Sequence, residues 1–308
     1  MKLARSIRES IRPADGCVLT IGNFDGVHRG HREIVRRLVE SSREMDLPAI
    51  LMTFFPSPQE FFRGDAAAAR LSSVTSRYLC LTDSGIDTLL ALPFNRKLAQ
   101  TSAEDFILEY IVLGLGTRYL MVGDDFRFGA GRRGDYAMLE KYGGQYGFGV
   151  TRCAAVEVDG TRISSTRVRR ALEAGDMREA ERLLGRRFDI VGKVQHGDRR
   201  GRQWGFPTLN LPFRRKPPMT GVFAVRVDLG DTRQHRGVAN LGTRPTVDGM
   251  RTLLEVHLFD FDEQVYGCRV RVEFVEKIRD ECRFGSFDAL KAQIARDCET
   301  AQGILSAG

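Results

Sequence analysis

The chain is 308 residues long, which is enough for one large domain or for two of ordinary size. Its 42% hydrophobic and 28% charged residues are typical of a globular protein and exclude a disordered one. The net charge of +7 suits anionic small molecules as well as nucleic acid, but no polybasic tail stands apart from the rest, which weighs against nucleic acid.

The cysteines and the N-terminus exclude further classes of protein. The six cysteines include no Cys-x-x-Cys pair, and no histidine lies at zinc-ligand spacing, which argues against metal clusters and disulfides. The N-terminus has no apolar core for a signal peptide, and no stretch approaches the length of a transmembrane helix. We therefore expect a cytoplasmic protein with no membrane partner. No interface signature is recognisable, so oligomerisation is left open.

Up to about residue 185, short apolar runs alternate with longer segments of helical periodicity. The runs predict strands buried on both faces, at 17–22, 49–55, 87–92 and 118–123. Apolar residues recur at helical spacing from Ile34 to Val39, and Thr101 with Glu104 predicts a capping box ahead of another helix. This alternation predicts right-handed crossovers and a parallel sheet.

After residue 187 the apolar pattern changes to a period of two. It predicts strands of an antiparallel sheet or small barrel, separated by Gly- or Pro-bearing turns, at 221–229, 251–259 and 268–278. A closing helix follows, with Ser286 as N-cap and an apolar stripe of Leu290, Ile294, Cys298, Ala301 and Leu305. The predicted fold class is α/β plus all-β, with domains at 1–185 and 186–308.

The segment TIGNFDGVHRGHREIV (20–35) lies where a buried strand ends and a helix begins, the edge at which open parallel sheets bind ligands. Three glycines allow close approach of a ligand to the backbone: Gly22, Gly26 and Gly30. His28 and His31 are three residues apart, so both can face one phosphate and offset its charge. Asp25 would hold a magnesium ion or orient a neighbour. A plain strand-to-helix turn is the alternative.

A second candidate anion site is RISSTRVRRALEAGDM (162–177). Three hydroxyl residues are natural N-caps, and with the helix-end amides they can bind an anion: Ser164, Ser165 and Thr166. Arg167 and Arg169 add positive charge. Taken alone, such a segment is more often an ordinary capped helix with a solvated basic face. Beside the two histidines, it predicts the second wall of a triphosphate cleft.

Two segments of the C-terminal half also carry candidate chemistry. HGDRRGRQWGFPTLNL (196–211) offers glycines for phosphate approach and oxygens that suit Mg²⁺, although these residues are also common in turns. In LLEVHLFDF (253–261), Glu255 and His257 share one face of a strand. A carboxylate near Mg-ATP can accept the proton of a hydroxyl that attacks the γ-phosphate. An exposed Glu and His on a strand is the plainer alternative.

GNFDGVHRGH with ISSTRVR resembles the nucleotidylyltransferase superfamily, and three further segments resemble the FMN adenylyltransferase module of prokaryotic-type bifunctional riboflavin kinase/FAD synthetases: MTFFPSPQEFF (52–62), FNRKLAQTSAEDF (94–106) and VGDDFRFGAGRRGD (122–135). The resemblance implies a Rossmann-like fold, with His28 and His31 as catalytic residues facing the ATP phosphates. It implies further ATP contacts from Gly22, Phe24, Asp25, Gly30, Ser164, Ser165, Thr166 and Arg169. It implies a flavin-binding segment made of Asp125, Phe126, Arg127 and Phe128.

The second half continues the resemblance through the riboflavin kinase module, in the motifs GxxxGFPTxN, GVFAV, NLGTRPT and LEVHLFDF. The resemblance implies that Glu255 is the catalytic base toward the ribityl 5′-hydroxyl. It implies Mg-ATP contacts from Gly201, Gly205, Pro207, Thr208 and Asn210, with Thr208 and Asn210 as the metal-binding residues. It implies a loop that closes over the flavin, formed by Asn240, Arg244, Pro245 and Thr246, with Arg279 and Phe284 nearby.

The resemblance covers essentially the whole chain and implies two reactions in series. Riboflavin is phosphorylated to FMN by the C-terminal module, and FMN is adenylylated to FAD by the N-terminal module with release of pyrophosphate. The implied substrates are riboflavin, FMN and ATP, with Mg²⁺ as cofactor and no nucleic-acid partner. Ser57 stands where the family usually has a histidine, and Ser76-Arg77 stands where Glu-Lys is common. The change at Ser57 puts the rate of adenylylation in question.

Three alternatives stay open. The kinase half alone could be active, with an inactive or weakened N-terminal domain, although both phosphate motifs are intact. The chain could be another adenylyl- or cytidylyltransferase with an unrelated barrel, although both halves carry flavin-type loops. A flavin- or nucleic-acid-binding regulator would also suit the basic charge, although no recognition helix or aromatic RNA-binding motif is recognisable.

Overall fold

The computed structural model describes residues 1–9, 15–196, 206–213, 215, 217–246 and 249–307. The chain divides into two compact units, and each is described by itself below. The N-terminal unit comprises Met1–Ala68 and Arg77–Ser164, and the C-terminal unit comprises Ala69–Ser76 and Ser165–Gly308. The domain boundary predicted between residues 185 and 186 stays a prediction.

Within its described residues, the N-terminal unit has a six-stranded sheet in which all neighbouring strands are parallel, in the order β1-β4-β3-β2-β5-β6. The strands are β1 (Lys2–Ala4), β2 (Cys17–Ile21), β3 (Ala49–Phe54), β4 (Thr88–Leu92), β5 (Thr117–Gly123) and β6 (Gly149–Cys153). The parallel sheet and its four predicted strands are confirmed. β1 and β6 were not predicted, since β1 is short and β6 is only partly buried.

Helices follow the strands as the alternation predicts. Up to residue 146 they are α1 (Arg29–Glu44), α2 (Pro58–Arg63), α3 (Val74–Leu81), α4 (Arg96–Gln100), α5 (Ala103–Phe106) and α6 (Tyr136–Tyr146). α5 continues as a π-helix over Ile107–Val112, and a short hairpin is formed by β7 (Glu157–Val158) and β8 (Thr161–Arg162). Alternate residues of β2 enter different cores, since Leu19 packs in one hydrophobic cluster and Val18 in another. The sheet is therefore covered on both faces.

The predicted capping box at Thr101 and Glu104 is wrong by one residue. The N-cap of α5 is Ser102, whose Oγ accepts a hydrogen bond from the amide of Asp105 at 2.9 Å. Thr101 instead ends α4, and its hydroxyl donates to the carbonyl of Lys97 at 3.0 Å. Thr101 and Ser102 are both suitable N-cap residues, so the sequence alone did not show which of them caps α5. Because Thr101 ends α4, Ser102 is left to cap α5.

The strand order changes direction between β2 and β5. The chain passes from β2 through α1 to β3 on one side, whereas β5 lies on the other side of β2. A crevice forms at the carboxyl edge of a parallel sheet at such a point, and ligands of α/β proteins bind there. The segment after β2 begins with Gly22 and carries both histidines, so it starts at this edge.

The C-terminal unit contains α7 (Ser165–Ala174) and α8 (Met177–Leu184) and ends with α9 (Phe287–Ser306). Between α8 and α9 lie β9 (Asp189–Lys193), β10 (Leu209–Phe213), β11 (Gly221–Asp228), β12 (His235–Thr246), β13 (Gly249–Leu258) and β14 (Arg269–Arg279). They form an antiparallel sheet in the order β10-β13-β12-β11-β14-β9. A bridge between Gln195 and Asn210 joins the two ends of this order, which confirms the predicted barrel.

Two details of the C-terminal unit bear on the predictions. Ser286 is the N-cap of α9, with its Oγ accepting from the amide of Ala289 at 3.2 Å, as predicted. The predicted loop around Asn240, Arg244, Pro245 and Thr246 is wrong as a loop, because β12 pairs with β13 without interruption up to Thr246. In the part of the chain that the structure describes, no helix combines the length and apolar character needed to cross a membrane.

Candidate active sites

The segment between β2 and α1 has an unusual backbone conformation. Phe24 and Val27 have φ values of 47° and 43°. These values lie in the left-handed region, which residues other than glycine rarely adopt, and both residues are buried. Gly26 has a φ of 83°, which glycine adopts without such a cost. Strained residues of this kind persist where the surrounding structure holds them, and they concentrate at functional sites.

His28 is fixed by its place at the start of α1. Its Nδ1 accepts a hydrogen bond from the amide of His31 at 3.3 Å, so the imidazole caps the helix. Because Nδ1 accepts, the proton of the neutral ring lies on Nε2, which is therefore the donor atom of this imidazole. A Cβ at Gly30 would lie 3.2 Å from this ring, tighter than an ordinary contact. Gly30 therefore makes room for His28.

His31 stacks on His28, with ring centroids 3.6 Å apart and planes 14° from parallel. Its Nδ1 is buried and has no hydrogen-bond partner within the described residues. Burial, the neighbouring His28 and the cation of Arg77 lower the pKa of His31 well below 6.5. A buried imidazole nitrogen with no partner is costly, and it fits a site that a polar ligand completes. The predicted pair of histidines is thus brought together.

Asp25 lies in this segment and is buried beside a guanidinium. The Oδ1 atom of Asp25 is 3.5 Å from Nη2 of Arg77, and Arg77 is only 1% exposed. In the sequence, Arg77 stands out solely as a departure from a Glu-Lys pair. Its contact with Asp25 was not foreseeable, because the two residues are far apart along the chain.

The segment after β5 starts at the same edge of the sheet, since β5 is the neighbour of β2. Asp125 is exposed and lies 3.2 Å from Arg162, whereas Phe128 is buried in the hydrophobic core and stacks with Phe126 at 5.6 Å. Arg127 forms an ion pair with Asp135 at 3.2 Å. The predicted flavin-binding segment therefore contains two aromatic side chains anchored in the core and two polar ones outside it.

A cluster of phenylalanines that the sequence analysis did not select lies at the carboxyl edge of β3 and β4. It consists of Phe54, Phe61, Phe62 and Phe94, with ring centroids of neighbouring pairs 5.2–5.9 Å apart in edge-to-face arrangement. Phe62 is 67% exposed, which is a high exposure for so large an apolar side chain. In the sequence, the adjacent Phe61 and Phe62 were a sign of an exposed aromatic surface. The participation of Phe94 could not be read from the sequence, because it is distant along the chain.

Ser57, where the sequence analysis expected a histidine from the resemblance, caps α2. Its Oγ accepts from the amide of Glu60 at 3.3 Å, and its own amide donates to Oε2 of Glu60 at 2.8 Å. This reciprocal arrangement is a capping box. Ser57 therefore organises the helix that carries Phe61 and Phe62.

The second predicted anion site is divided between the two compact units: Ser164 ends a segment of the N-terminal unit, and Ser165 begins α7 in the C-terminal unit. Arg169 donates from Nε to the carbonyl of Ala69 at 2.5 Å, and Arg167 pairs with Glu179 at 2.8 Å. Thr166 lies in the first turn of α7. Their predicted role beside the two histidines stays a prediction.

In the C-terminal unit, the segment from Pro207 to Asn210 is held against β13. His257 contacts the carbonyl of Pro207 through Nδ1 at 2.9 Å, and Asn210 donates from Nδ2 to the carbonyl of Thr208 at 3.1 Å. The second bond uses the amide nitrogen of Asn210 and leaves Oδ1 as an acceptor. Gly201 and Gly205, predicted to contact ATP, lie outside the described residues.

Asn210, Glu255 and Asn240 lie directly opposite one another on β10, β13 and β12. Residues directly opposite in an antiparallel sheet project from the same face. Leu254 and Val256, which flank Glu255, are fully buried, so Glu255 lies on the face away from that core. Three residues that are far apart in sequence are thereby aligned in one row, with a carboxylate between two amides.

Arg279 is held by the closing helix. Its guanidinium bonds both carboxylate oxygens of Asp297, at 2.6 and 2.9 Å, and Asp297 raises the pKa of Arg279. Its centre also lies 5.8 Å from the ring of Phe284. Arg244, Pro245 and Thr246 are described by their backbone alone, so their predicted contact with flavin stays a prediction.

Family models match both halves of the chain. The model described as FAD synthetase matches residues 10–167, and the model described as riboflavin kinase matches residues 184–305. The order of the two matches is the order of the two units along the chain.

Several curated relatives are similar over their full length, and each is named bifunctional riboflavin kinase/FMN adenylyltransferase. That of Escherichia coli (strain K12) is 50% identical and covers 98% of this chain and 97% of the relative. The relative from Pseudomonas fluorescens is 46% identical, and the match covers 99% of this chain and 98% of the relative. The relative from Haemophilus influenzae is 43% identical, and the match covers 99% of this chain and 100% of the relative. A solved structure from Streptococcus pneumoniae, described as a macrolide-efflux protein, has 31% identity, a TM-score of 0.80 and 98% coverage of both chains.

Proposed function

The chain belongs to the family of bifunctional riboflavin kinase/FMN adenylyltransferases, and we propose which of its residues carry each reaction. The enzyme phosphorylates riboflavin to FMN and adenylylates FMN to FAD. We assign adenylylation to the segment between β2 and α1 and phosphorylation to the row across β10, β13 and β12. The observation that carries this division is that each unit contains its own set of polar groups on adjacent elements. The cytoplasmic location expected from the sequence stays a prediction.

In the adenylyltransferase site, His28 and His31 face the phosphates of ATP. A phosphate oxygen of FMN attacks the α-phosphorus of ATP, the bond from that phosphorus to the bridging oxygen breaks, and pyrophosphate leaves. The Nε2 proton of His28 donates to a phosphate oxygen and stabilises the charge that develops there. The buried Nδ1 of His31 requires a partner, and a ligand group in this segment would supply it. The protein mainly positions the two reactants.

The cluster Phe54, Phe61, Phe62 and Phe94 supports binding of a flat aromatic ring near the same edge of the sheet. Exposed aromatic side chains are unfavourable in water and favourable against another aromatic system. We assign this cluster to the isoalloxazine ring of FMN, together with the predicted segment from Asp125 to Phe128. Ser57 contributes indirectly, since it caps the helix that carries two of the rings.

In the kinase site, Glu255 accepts the proton of the ribityl 5′-hydroxyl as its oxygen attacks the γ-phosphorus of ATP, and ADP leaves. Asn210 and Asn240 on either side offer amide groups to orient the reactants. His257 holds the backbone at Pro207, next to Thr208.

The donors at Thr208 and Asn210 fit Mg²⁺, which prefers oxygen ligands and usually binds through few protein groups plus substrate phosphates. The hydroxyl of Thr208 and the Oδ1 of Asn210 would hold the ion. When bound, Mg²⁺ neutralises charge on the ATP phosphates. This assignment keeps the Glu255 carboxylate for the proton.

Two substitutions test the division, and each serves as the control for the other. His28→Asn removes the imidazole but retains a side chain that caps helices well. We expect adenylylation of supplied FMN to fall about 100-fold, while phosphorylation of riboflavin stays within about twofold. Glu255→Gln is expected to lower phosphorylation by about 100-fold or more, with adenylylation unchanged. Loss of both activities in either variant, or of neither, would contradict the assignment.

A further inference from the structure

Arg77 is a buried cation that the reaction described above does not use. It is among the largest fully buried side chains of the described residues, with 1% exposure. Burying a guanidinium is costly unless it is paired and hydrogen-bonded, so its contacts indicate what it is there to hold. Two of those contacts support the segment that leads to His28.

Arg77 supports that segment at two points. Its Nη2 is 3.5 Å from Oδ1 of Asp25, and its Nη1 donates to the hydroxyl of Thr53 at 3.1 Å. The hydroxyl of Thr53 in turn donates to the carbonyl of Asn23 at 3.0 Å. The two supports thus reach the residues immediately before and after Phe24.

The backbone at Phe24 needs this support because its conformation is strained. It has a φ of 47°, and Val27 follows with 43°, so two residues of this short segment are in a conformation that costs free energy. The ring of Phe24 also lies against His31, with centroids 4.9 Å apart. Relaxation of Phe24 to an ordinary conformation would displace the chain that leads into α1 and would disturb the stacked histidines.

We propose that Arg77 is a positioning residue of the adenylyltransferase site, which clamps Asn23 and Asp25 on either side of Phe24 and so holds His28 and His31 in register with the ATP phosphates. The inference rests on the proposed role of these histidines. In this role Arg77 need not contact ATP or FMN. It acts through Thr53 and Asp25, and its positive charge adds to the field that favours an anionic ligand.

The test is a double-substitution cycle in the full-length chain, with FMN, ATP and magnesium as reactants. Arg77→Met is expected to lower kcat of adenylylation by about 10- to 100-fold, because a small misplacement of reacting groups has an effect of this size. Because Arg77 acts in part through Asp25, the same change made in an Asp25→Asn background is expected to cost clearly less than in the wild type, with only the support through Thr53 left to lose. Multiplicative effects of the two substitutions would overturn the proposal, as would an Arg77→Met enzyme within about twofold of wild type.

Three further variants complete the design. Arg77→Lys keeps the charge but replaces the two guanidinium nitrogens that reach Thr53 and Asp25 with one ammonium, so it is expected to recover only a small part of the lost kcat. Full recovery by lysine would show that charge alone suffices and would overturn the clamp. Arg77→Gln decides the case if Arg77→Met fails to fold, with the same expected loss. Arg36→Met removes an exposed arginine of α1 paired with Glu33 and is the matched control, with no expected change. Failure of wild-type adenylylation would refute the proposed function, whereas normal wild-type activity with insensitive Arg77 variants would refute this inference alone.

Discussion

His28 and His31 share a short segment but have different surroundings. The Nδ1 of His28 caps α1, whereas the Nδ1 of His31 is buried without a partner in the described residues. The two rings stack, so a charge on one opposes a charge on the other. Neutral rings avoid this repulsion, and a neutral imidazole can still donate a hydrogen bond to a phosphate oxygen.

We predict that His31 stays neutral across the physiological range. Burial is the main cause that lowers its pKa, followed by His28 and Arg77. Because the pKa of the folded state is below that of an unfolded histidine, protonation of this group favours the unfolded chain, and stability present above about pH 6.5 is lost as the pH falls toward the folded pKa. NMR titration of histidine-labelled protein, with His31→Gln to assign the signal, checks this. A midpoint near 6.5 for the folded protein would contradict it.

At the residue scale, the sequence predicted the groups that motif spacing places together and missed those that the fold brings together. His28 and His31 follow from their spacing after a strand. The support from Arg77 and Thr53 does not, because only the folded parallel sheet brings α3 and β3 to the segment after β2. The strained φ of Phe24 is likewise invisible, since nothing in its side chain announces it.

At the scale of elements, periodicity predicted the strands that are apolar along their length and missed strands that are short or that run into a polar segment. β2, β3 and β4 are apolar throughout most of their length and were predicted, while β12 continues through a segment rich in Gly, Arg and Pro that resembles a loop. Pairing with β13 decides its structure, and a partner strand is not visible in local sequence. The row of Asn210, Glu255 and Asn240 depends on that register and so could not be predicted.

The cap of α2 gives a prediction at this scale. Ser57→Ala removes the acceptor for the Glu60 amide and is expected to destabilise α2 by about 1 kcal/mol. Ser57→Asp supplies another good N-cap and is expected to retain most of that stability. Amide hydrogen exchange in the peptide that contains α2 measures the difference, with about fivefold faster exchange for Ala. Equal protection in the Ala variant, or equal loss in the Asp variant, would show that the cap does not stabilise this helix.

At the scale of the whole molecule, two units carry two chemistries that share one intermediate. The parallel sheet of the N-terminal unit carries, at its carboxyl edge, the two histidines that we propose bind phosphate. The barrel of the C-terminal unit aligns a carboxylate with two amides. The change from an alternating α/β pattern to a period of two was readable in the sequence, so both fold classes were predicted. The division predicted between residues 185 and 186 stays a prediction.

One chain with these two sites makes FMN and then FAD. The most direct measurement is a chromatographic time course of the purified protein with riboflavin, excess ATP and magnesium. We expect FMN to appear first and then to be converted to FAD. FMN without FAD would contradict the role assigned to the N-terminal unit. The absence of both products would contradict both assigned activities.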